Sequence, residues 1–247
     1  MLSVVASSLQ RAPLASTPMQ LQQLLYSQGF GSRHECAGLV AQGRLQLGDL
    51  VPTDPYADVD IAEGQPFQVD GRAWPFHSRA VVLLHKPLHT ECSAKPRHHP
   101  SVLSLLPGPL RVRGVQPVGR LDEDTTGLLL LTDDGTLIHR WTHPRRKLPK
   151  VYEATLKHPM DEAARLQLQA GVVLDDDPEP VRADAAELTS PTQLRLTLTS
   201  GRYHQVKRMV AAVGNRVEAL HRSGFGRLQV PADLAPGQWT WVDPQAV

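Results

Sequence analysis

Apolar and polar positions alternate along this chain with several different periods, and each period predicts a different element. Leu21, Leu24 and Leu25 follow helical spacing, and Gly29 ends that segment. Ser32-Arg33-His34-Glu35 then forms a capping box, in which the Ser hydroxyl takes the third amide of a new helix and Glu35 reaches back. Cys36, Leu39 and Val40 supply the buried stripe of that helix, and Gly43 stops it. In RLQLGDLV, Leu45 and Leu47 alternate and Gly48-Asp49 makes a turn, which predicts a small hairpin. From Ala80 the character changes. AVVLLHKP predicts a buried strand running into Lys86-Pro87, and the leucines of TTGLLLLTDDG predict a strand covered on both faces. VYEATL and QLRLTLTS read as strands, the latter with Leu194, Leu196 and Leu198 on one face. MDEAARLQLQAG reads as a helix ended by Gly171. Val206, Met209, Val210 and Val213 define the buried face of another, stopped by Gly214.

No repeat of 20 to 50 residues is present, and strands and helices do not alternate as regular βαβ units. The expected fold class is α+β, with a mixed, largely antiparallel sheet in the larger domain. The expected organisation is residues 1–18 as a disordered extension, 19–75 as a small module, 76–80 as a linker and 81–247 as a second domain. The opening MLSVVASSLQRAPLASTP has too short an apolar run for a signal peptide.

Composition narrows the function less than charge placement does. The 247 residues are 41% hydrophobic with a formal net charge of +1, and no apolar stretch approaches the roughly 20 residues of a membrane helix. No membrane association is therefore expected. Cations gather in HRWTHPRRKLPK (Arg145, Arg146, Lys147 and Lys150) and in GRYHQVKR (Arg202, Lys207 and Arg208), while acids gather elsewhere. Segregated charge allows a phosphate-binding face on a near-neutral protein. Cys36 and Cys92 lack a metal or redox spacing, which suits a reducing, cytoplasmic location. His89, His98 and His99 have no Cys or acid at ligand spacing, so no metal site is expected. No nucleotide-cofactor loop is present, so no cofactor is expected.

The candidate chemistry centres on GRLDEDTTGLLLLTDDG. Asp122 precedes the buried strand and needs a cationic partner to remain ionised, with Arg120 and Lys207 as candidates. An ionised, positioned carboxylate can act as nucleophile or base, including at a sugar carbon. The neighbouring Glu123, Asp124, Asp133 and Asp134 read as turn residues that face water or cap backbone. Lys207 and Arg208 open a helix, where cations are cheap only beside an anion.

Two resemblances follow from these segments. SRHECAGLVAQGRLQLGDLV resembles the S4 RNA-binding module, which makes Arg33, His34 and Arg44 its candidate RNA contacts; Gln20, Gln22 and Gln23 stand where that family carries Arg and Lys. PVGRLDEDTTGLLLLTDDG, LPKVYEATL and GRYHQVKRMVAAVGNRV resemble, in order, the three motifs of the pseudouridine synthases of the small- and large-subunit rRNA branch. That likeness implies a pseudouridine synthase catalytic domain and an isomerase needing no cofactor. It implies that Asp122 attacks C1′ or takes a proton at C2′, that Tyr152 stacks on a flipped base, that Lys207 pairs with Asp122, and that Arg120 holds the flipped-out state. Lys86, Arg145, Arg146, Lys147, Lys150, Arg202 and Arg208 are the implied RNA contacts. The likeness extends to the target, 16S rRNA or a small-subunit assembly intermediate, at uridine 516; a monomer is expected because one active site per chain needs no partner. A 23S rRNA synthase and a non-catalytic rRNA-binding assembly protein remain the alternatives. His85-Lys86-Pro87-Leu88-His89 departs from the family's usual Asn-Lys-Pro and glycine turn.

Overall fold

The computed structural model describes residues 16–175 and 177–247, so the expected disorder of the first fifteen positions lies outside the described residues. Ser16–Pro18, also expected to be disordered, instead belong to a strand, β1 (Ser16–Gln20). The chain divides into two units, one of Met1–Ser78 with Gly108–Arg113, the other of Arg79–Pro107 with Gly114–Val247.

In the first unit α1 (Leu21–Ser27) buries Leu21, Leu24 and Leu25. The capping box opens α2 (Arg33–Ala41): Glu35 N donates to Ser32 Oγ at 3.3 Å, and Ser32 N donates to Glu35 Oε2 at 2.7 Å. These two contacts satisfy amides that the helix cannot satisfy itself. Cys36 and Val40 are buried, and Leu39 packs against the same cluster. β2 (Leu45–Gln46), β4 (Pro66–Val69) and β5 (Arg72–Pro75) form a three-stranded sheet, and β3 (Asp58–Ala62) pairs antiparallel with β1. α3 (Gly108–Val112) also belongs here, although the sequence boundary assigns it to the second domain. The physical reason is a polar knot. Buried Gln28 donates to His77 O at 3.1 Å, and Arg113 Nη1 donates to Gln28 Oε1 at 2.9 Å and to His77 O at 2.8 Å. Gly29 makes room for the approach: at φ +83° its missing Cβ would lie 2.2 Å from Pro109 O.

The second unit is a nine-stranded mixed sheet flanked by helices. Its strands are β6 (Val81–Lys86), β7 (Gln116–Pro117), β8 (Thr125–Thr132), β9 (Lys150–Leu156), β12 (Ala185–Ser190), β13 (Gln193–Leu198), β14 (Val217–Phe225), β15 (Leu228–Gln229) and β16 (Trp239–Trp241). They run in the order β12-β13-β9-β14-β8-β6-β16, with β7 added to β8 and β15 to β14. A two-stranded ribbon, β10 (Val172–Leu174) with β11 (Asp177–Val181), lies outside this sheet. Among the described strands of the large sheet, β8 and β14 pair in parallel and the other neighbours antiparallel.

Leu128 to Leu131 are fully buried on both faces of β8. On one side Leu128 and Leu130 pack with Val81, Leu83, Phe225 and, from α4 (Gly135–Thr142), Leu137 and Trp141. Farther along the sheet, Ala154 and Leu156 join Leu194, Leu196 and Leu198 beneath α5 (Glu162–Ala170) and α6 (Gln205–Ala212), which contribute Leu168 and Val206, Met209 and Val210. The parallel pairing of β8 with β14 depends on Gly127. A Cβ there would stand 2.2 Å from Arg222 O, and φ is +109°.

Candidate active site

Three strand and helix ends converge on one cleft of about 360 Å³ in the second unit. The loop before β8 brings Arg120, Leu121 and Asp122; β9 brings Tyr152; the start of α6 brings Val206 and Lys207. The Asp122 carboxylate, about one-third exposed at 34%, lies 3.6 Å from Lys207 Nζ through Oδ2 and 3.4 Å from His204 Nε2 through Oδ1. Lys207 is thus the charged partner that the structure brings to Asp122, while Arg120 lines the cleft as an exposed side chain.

Lys207 is shared. Its Nζ donates to both oxygens of Asp124, at 2.6 and 2.8 Å, which is closer than its distance to Asp122. Asp124 therefore does more than face water in a turn, as its sequence context suggested. Partial burial works against its charge, but the Lys207 hydrogen bond and charge outweigh this and hold its carboxyl below the ordinary range. Because Lys207 makes its shorter contacts to Asp124, Asp122 is left with a looser ion pair. Of the other turn acids, Asp134 caps α4 and Asp133 Oδ1 accepts from Ala80 N at 2.8 Å, as expected of caps, while Glu123 Oε2 lies 3.4 Å from His99 Nε2.

The Asp122 loop is held from below. Lys86 is wholly buried, and its Nζ donates to Thr125 O at 2.9 Å, Pro87 O at 3.1 Å and Glu123 O at 3.5 Å. The expectation that Lys86 contacts RNA is corrected by this burial, since its ammonium is spent on backbone carbonyls. Burial pushes its pKa down, against the pull of the surrounding acids. Leu121 N donates to Cys92 Sγ at 3.5 Å, and Thr125 N to Asp122 O at 3.1 Å.

Sequence reasoning missed His204 and Gln205, although both lie inside GRYHQVKR. His204 takes a left-handed conformation, φ 48°, at the cap of α6, and stacks on exposed Tyr203 at 3.8 Å. Buried Gln205 accepts from Arg202 N at 2.8 Å and donates to Ser200 Oγ at 2.7 Å, fixing the loop that carries both. No capping signal marked them in the sequence: His204 makes no side-chain cap bond, and Gln205 bonds to Arg202 and Ser200 of the preceding loop.

The remaining candidates scatter. Arg33 and His34 are exposed, with Arg33 over the Tyr26 ring at 5.2 Å, and Arg44 is held by both Asp70 oxygens at 2.6 Å. Arg145, Arg146 and Lys147 are exposed on a short turn. Arg202 lines the cleft, and Arg208 Nη1 donates to Tyr203 O at 3.1 Å. Lys150 is only partly exposed. It turns inward, donating to Leu148 O at 3.2 Å. Among the described residues no group of three or more His, Cys, Asp or Glu could hold a metal ion, and no helix is long and apolar enough to cross a membrane.

A carboxylate beside a shared ammonium, in a cleft that a tyrosine also lines, suits chemistry at a nucleoside. The chain belongs to the RNA pseudouridylate synthase family, whose model matches residues 80–212. It is similar to the ribosomal small subunit pseudouridine synthase A of Escherichia coli K12, at 44% identity over 66% of this chain and 70% of that one. The protein of that name from Yersinia pestis is 44% identical over 88% of this chain and 90% of the other. A crystal structure described as a pseudouridylate synthase superposes with a TM-score of 0.65 at 28% identity, covering 92% of this chain and 97% of that one.

Proposed function

We propose that this enzyme converts uridine 516 of 16S rRNA to pseudouridine, with Asp122 as the nucleophile toward the sugar. The observation that carries the reading is the Asp122 carboxylate in the cleft, 3.6 Å from Lys207 and facing a wall that includes Tyr152. Attack at C1′ breaks the C1′–N1 bond, and uracil departs as its anion. The base turns in the pocket, C5 bonds to C1′ as the carboxylate leaves, the C5 proton is lost and N1 is protonated. No atom is gained or lost overall, so a single carboxylate suffices where a hydrolase needs two. Tyr152 offers a ring face for the extruded base, and buried Thr125 Oγ1, which has no partner in the cleft wall, offers a hydroxyl for its polar edge. The 16S target is supported by the names of the two enzymes compared above. The first unit is an S4-like RNA-binding module in this reading, supported by its capped helix with exposed Arg33 and His34.

The test is Asp122→Asn on 16S rRNA, with pseudouridine mapped by chemical adduct and primer extension. Loss of modification with rRNA binding kept is the expected result; undiminished pseudouridine would falsify the assignment. Deleting the gene should remove pseudouridine at position 516. Disappearance from 23S rRNA instead would make it a large-subunit enzyme.

A further inference from the structure

Beyond Tyr152 lies a second pocket, of about 470 Å³, that shares Arg120, Tyr152 and Arg202 with the Asp122 cleft. Among the described residues no acid lines it. Its depth is formed by Lys150 and Arg222 over an apolar floor of Trp141 and Phe225. The placement follows from the sheet. Lys150 and Tyr152 are two residues apart on β9 and so share a face, while β14 sets Arg222 opposite Tyr152 and Phe225 opposite Lys150. The Phe225 ring centre lies 5.9 Å from Lys150 Nζ and 5.4 Å from Arg222 Cζ.

Arg222 is only 2% exposed. Its Nε donates to Leu128 O at 2.8 Å, its Nη2 is buried with no hydrogen-bond partner, and no carboxylate among the described residues pairs with it. A buried guanidinium without a counter-charge is costly, and a second cation beside it adds to that cost. The acid whose charge reaches Lys150, Asp184, is itself held by Thr199 N at 2.7 Å. A fold that keeps two desolvated cations together next to a catalytic cleft is built for an anion supplied from outside.

We propose that this pocket seats a phosphorylated nucleoside, the RNA nucleotide adjoining the target uridine, with its phosphate on Lys150 and Arg222 and its sugar or base against Trp141 and Phe225. The assignment rests on the RNA-modifying reading above. It gives the enzyme a phosphate contact one step from the target, so the neighbouring nucleotide anchors the strand while the uridine swings past Tyr152.

The test uses target RNA in which each phosphate flanking the uridine is replaced, one at a time, by neutral methylphosphonate. One replacement should raise KM about tenfold with kcat held, and that penalty should vanish in Lys150→Met. Equal effects at every phosphate, or a penalty unchanged in Lys150→Met, overturn the proposal. If no RNA is converted, the reaction reading has failed, and a direct titration decides on the pocket alone. Uridine 5′-monophosphate should shift the Trp141 indole resonance, assigned by Trp141→Phe, at concentrations about tenfold below uridine or inorganic phosphate, and Lys150→Met should erase the preference. Inorganic phosphate as potent as the nucleotide, or uridine equal to it, overturns the nucleotide assignment. Arg222 is left intact throughout because its loss would disturb β14 itself.

Discussion

At the scale of single residues, the site turns on how one ammonium divides itself between two carboxylates. Lys207 sits nearer Asp124 than Asp122. Asp124→Asn removes the nearer partner and lets Lys207 settle on Asp122. RNA affinity should then rise, one anion having gone, while the single-turnover rate falls about tenfold because the carboxylate proposed as nucleophile is more tightly held. A rate that holds or rises would mean Asp124 does not compete for the lysine. Lys86 makes the complementary case from beneath. Lys86→Met leaves the carbonyls of Pro87, Glu123 and Thr125 without their donor, so thermal unfolding should show a loss of about 2–4 kcal/mol, with activity falling alongside. Resemblance to the family's three motifs singled out Asp122, Tyr152 and Lys207, and all three line one cleft. Lys86 was legible as a cation but not as a buried one: a lysine closing a strand reads as surface until three carbonyls are seen to surround it. Arg222 was invisible, since an arginine in VEALHRSGF looks like any exposed strand position.

At the scale of elements, β8 was the clearest prediction, its four leucines needing cover on both faces and receiving it. What could not be read was its parallel partner, because β14 lies about ninety residues on and no local signal links them. Gly127 is where the two meet. Gly127→Ala drives a methyl into Arg222 O and should cost about 3 kcal/mol or more, read as a lower urea midpoint; an unchanged midpoint would show that the strands can part freely. The loop after β6 carries its own fastening. Glu91 accepts amides from Arg97, His98 and His99 at 2.7 to 3.2 Å, and these bonds lower its pKa to about 2. A folded-state pKa below the unfolded one gives stability that is complete above the ordinary carboxyl value of 4.5 and is lost as pH falls toward about 2. The Arg97 amide resonance should accordingly show no step near pH 4.5 and move only in strong acid. Titration centred near 4.5 would mean the loop is not held this way. The short elements β15, β16 and α3 escaped prediction for a plain reason, as two to five residues carry no period to detect, and Gly108-Pro109 reads as a break.

At the scale of the whole molecule, net charge and charge placement make opposite predictions about RNA. A formal +1 gives little general attraction, whereas exposed Arg145, Arg146 and Lys147 form a local acid-free run. Placement decides, because counterions are released only where phosphates are met. For single-stranded RNA each neutralised phosphate contributes about 0.7 to the slope of log affinity against log salt. If all three side chains meet phosphates, changing them together to Gln should flatten that slope by about 2 while leaving the chemical step at saturating RNA unaltered. Lys150→Met should behave differently in size only: with a single phosphate proposed on it, its loss should flatten the slope by about 0.7 and weaken every target RNA alike. A slope that ignores the triple change would place those side chains in bulk water, and the grip on RNA would then have to come from the cleft and from the first unit, whose Arg44 is already engaged by Asp70.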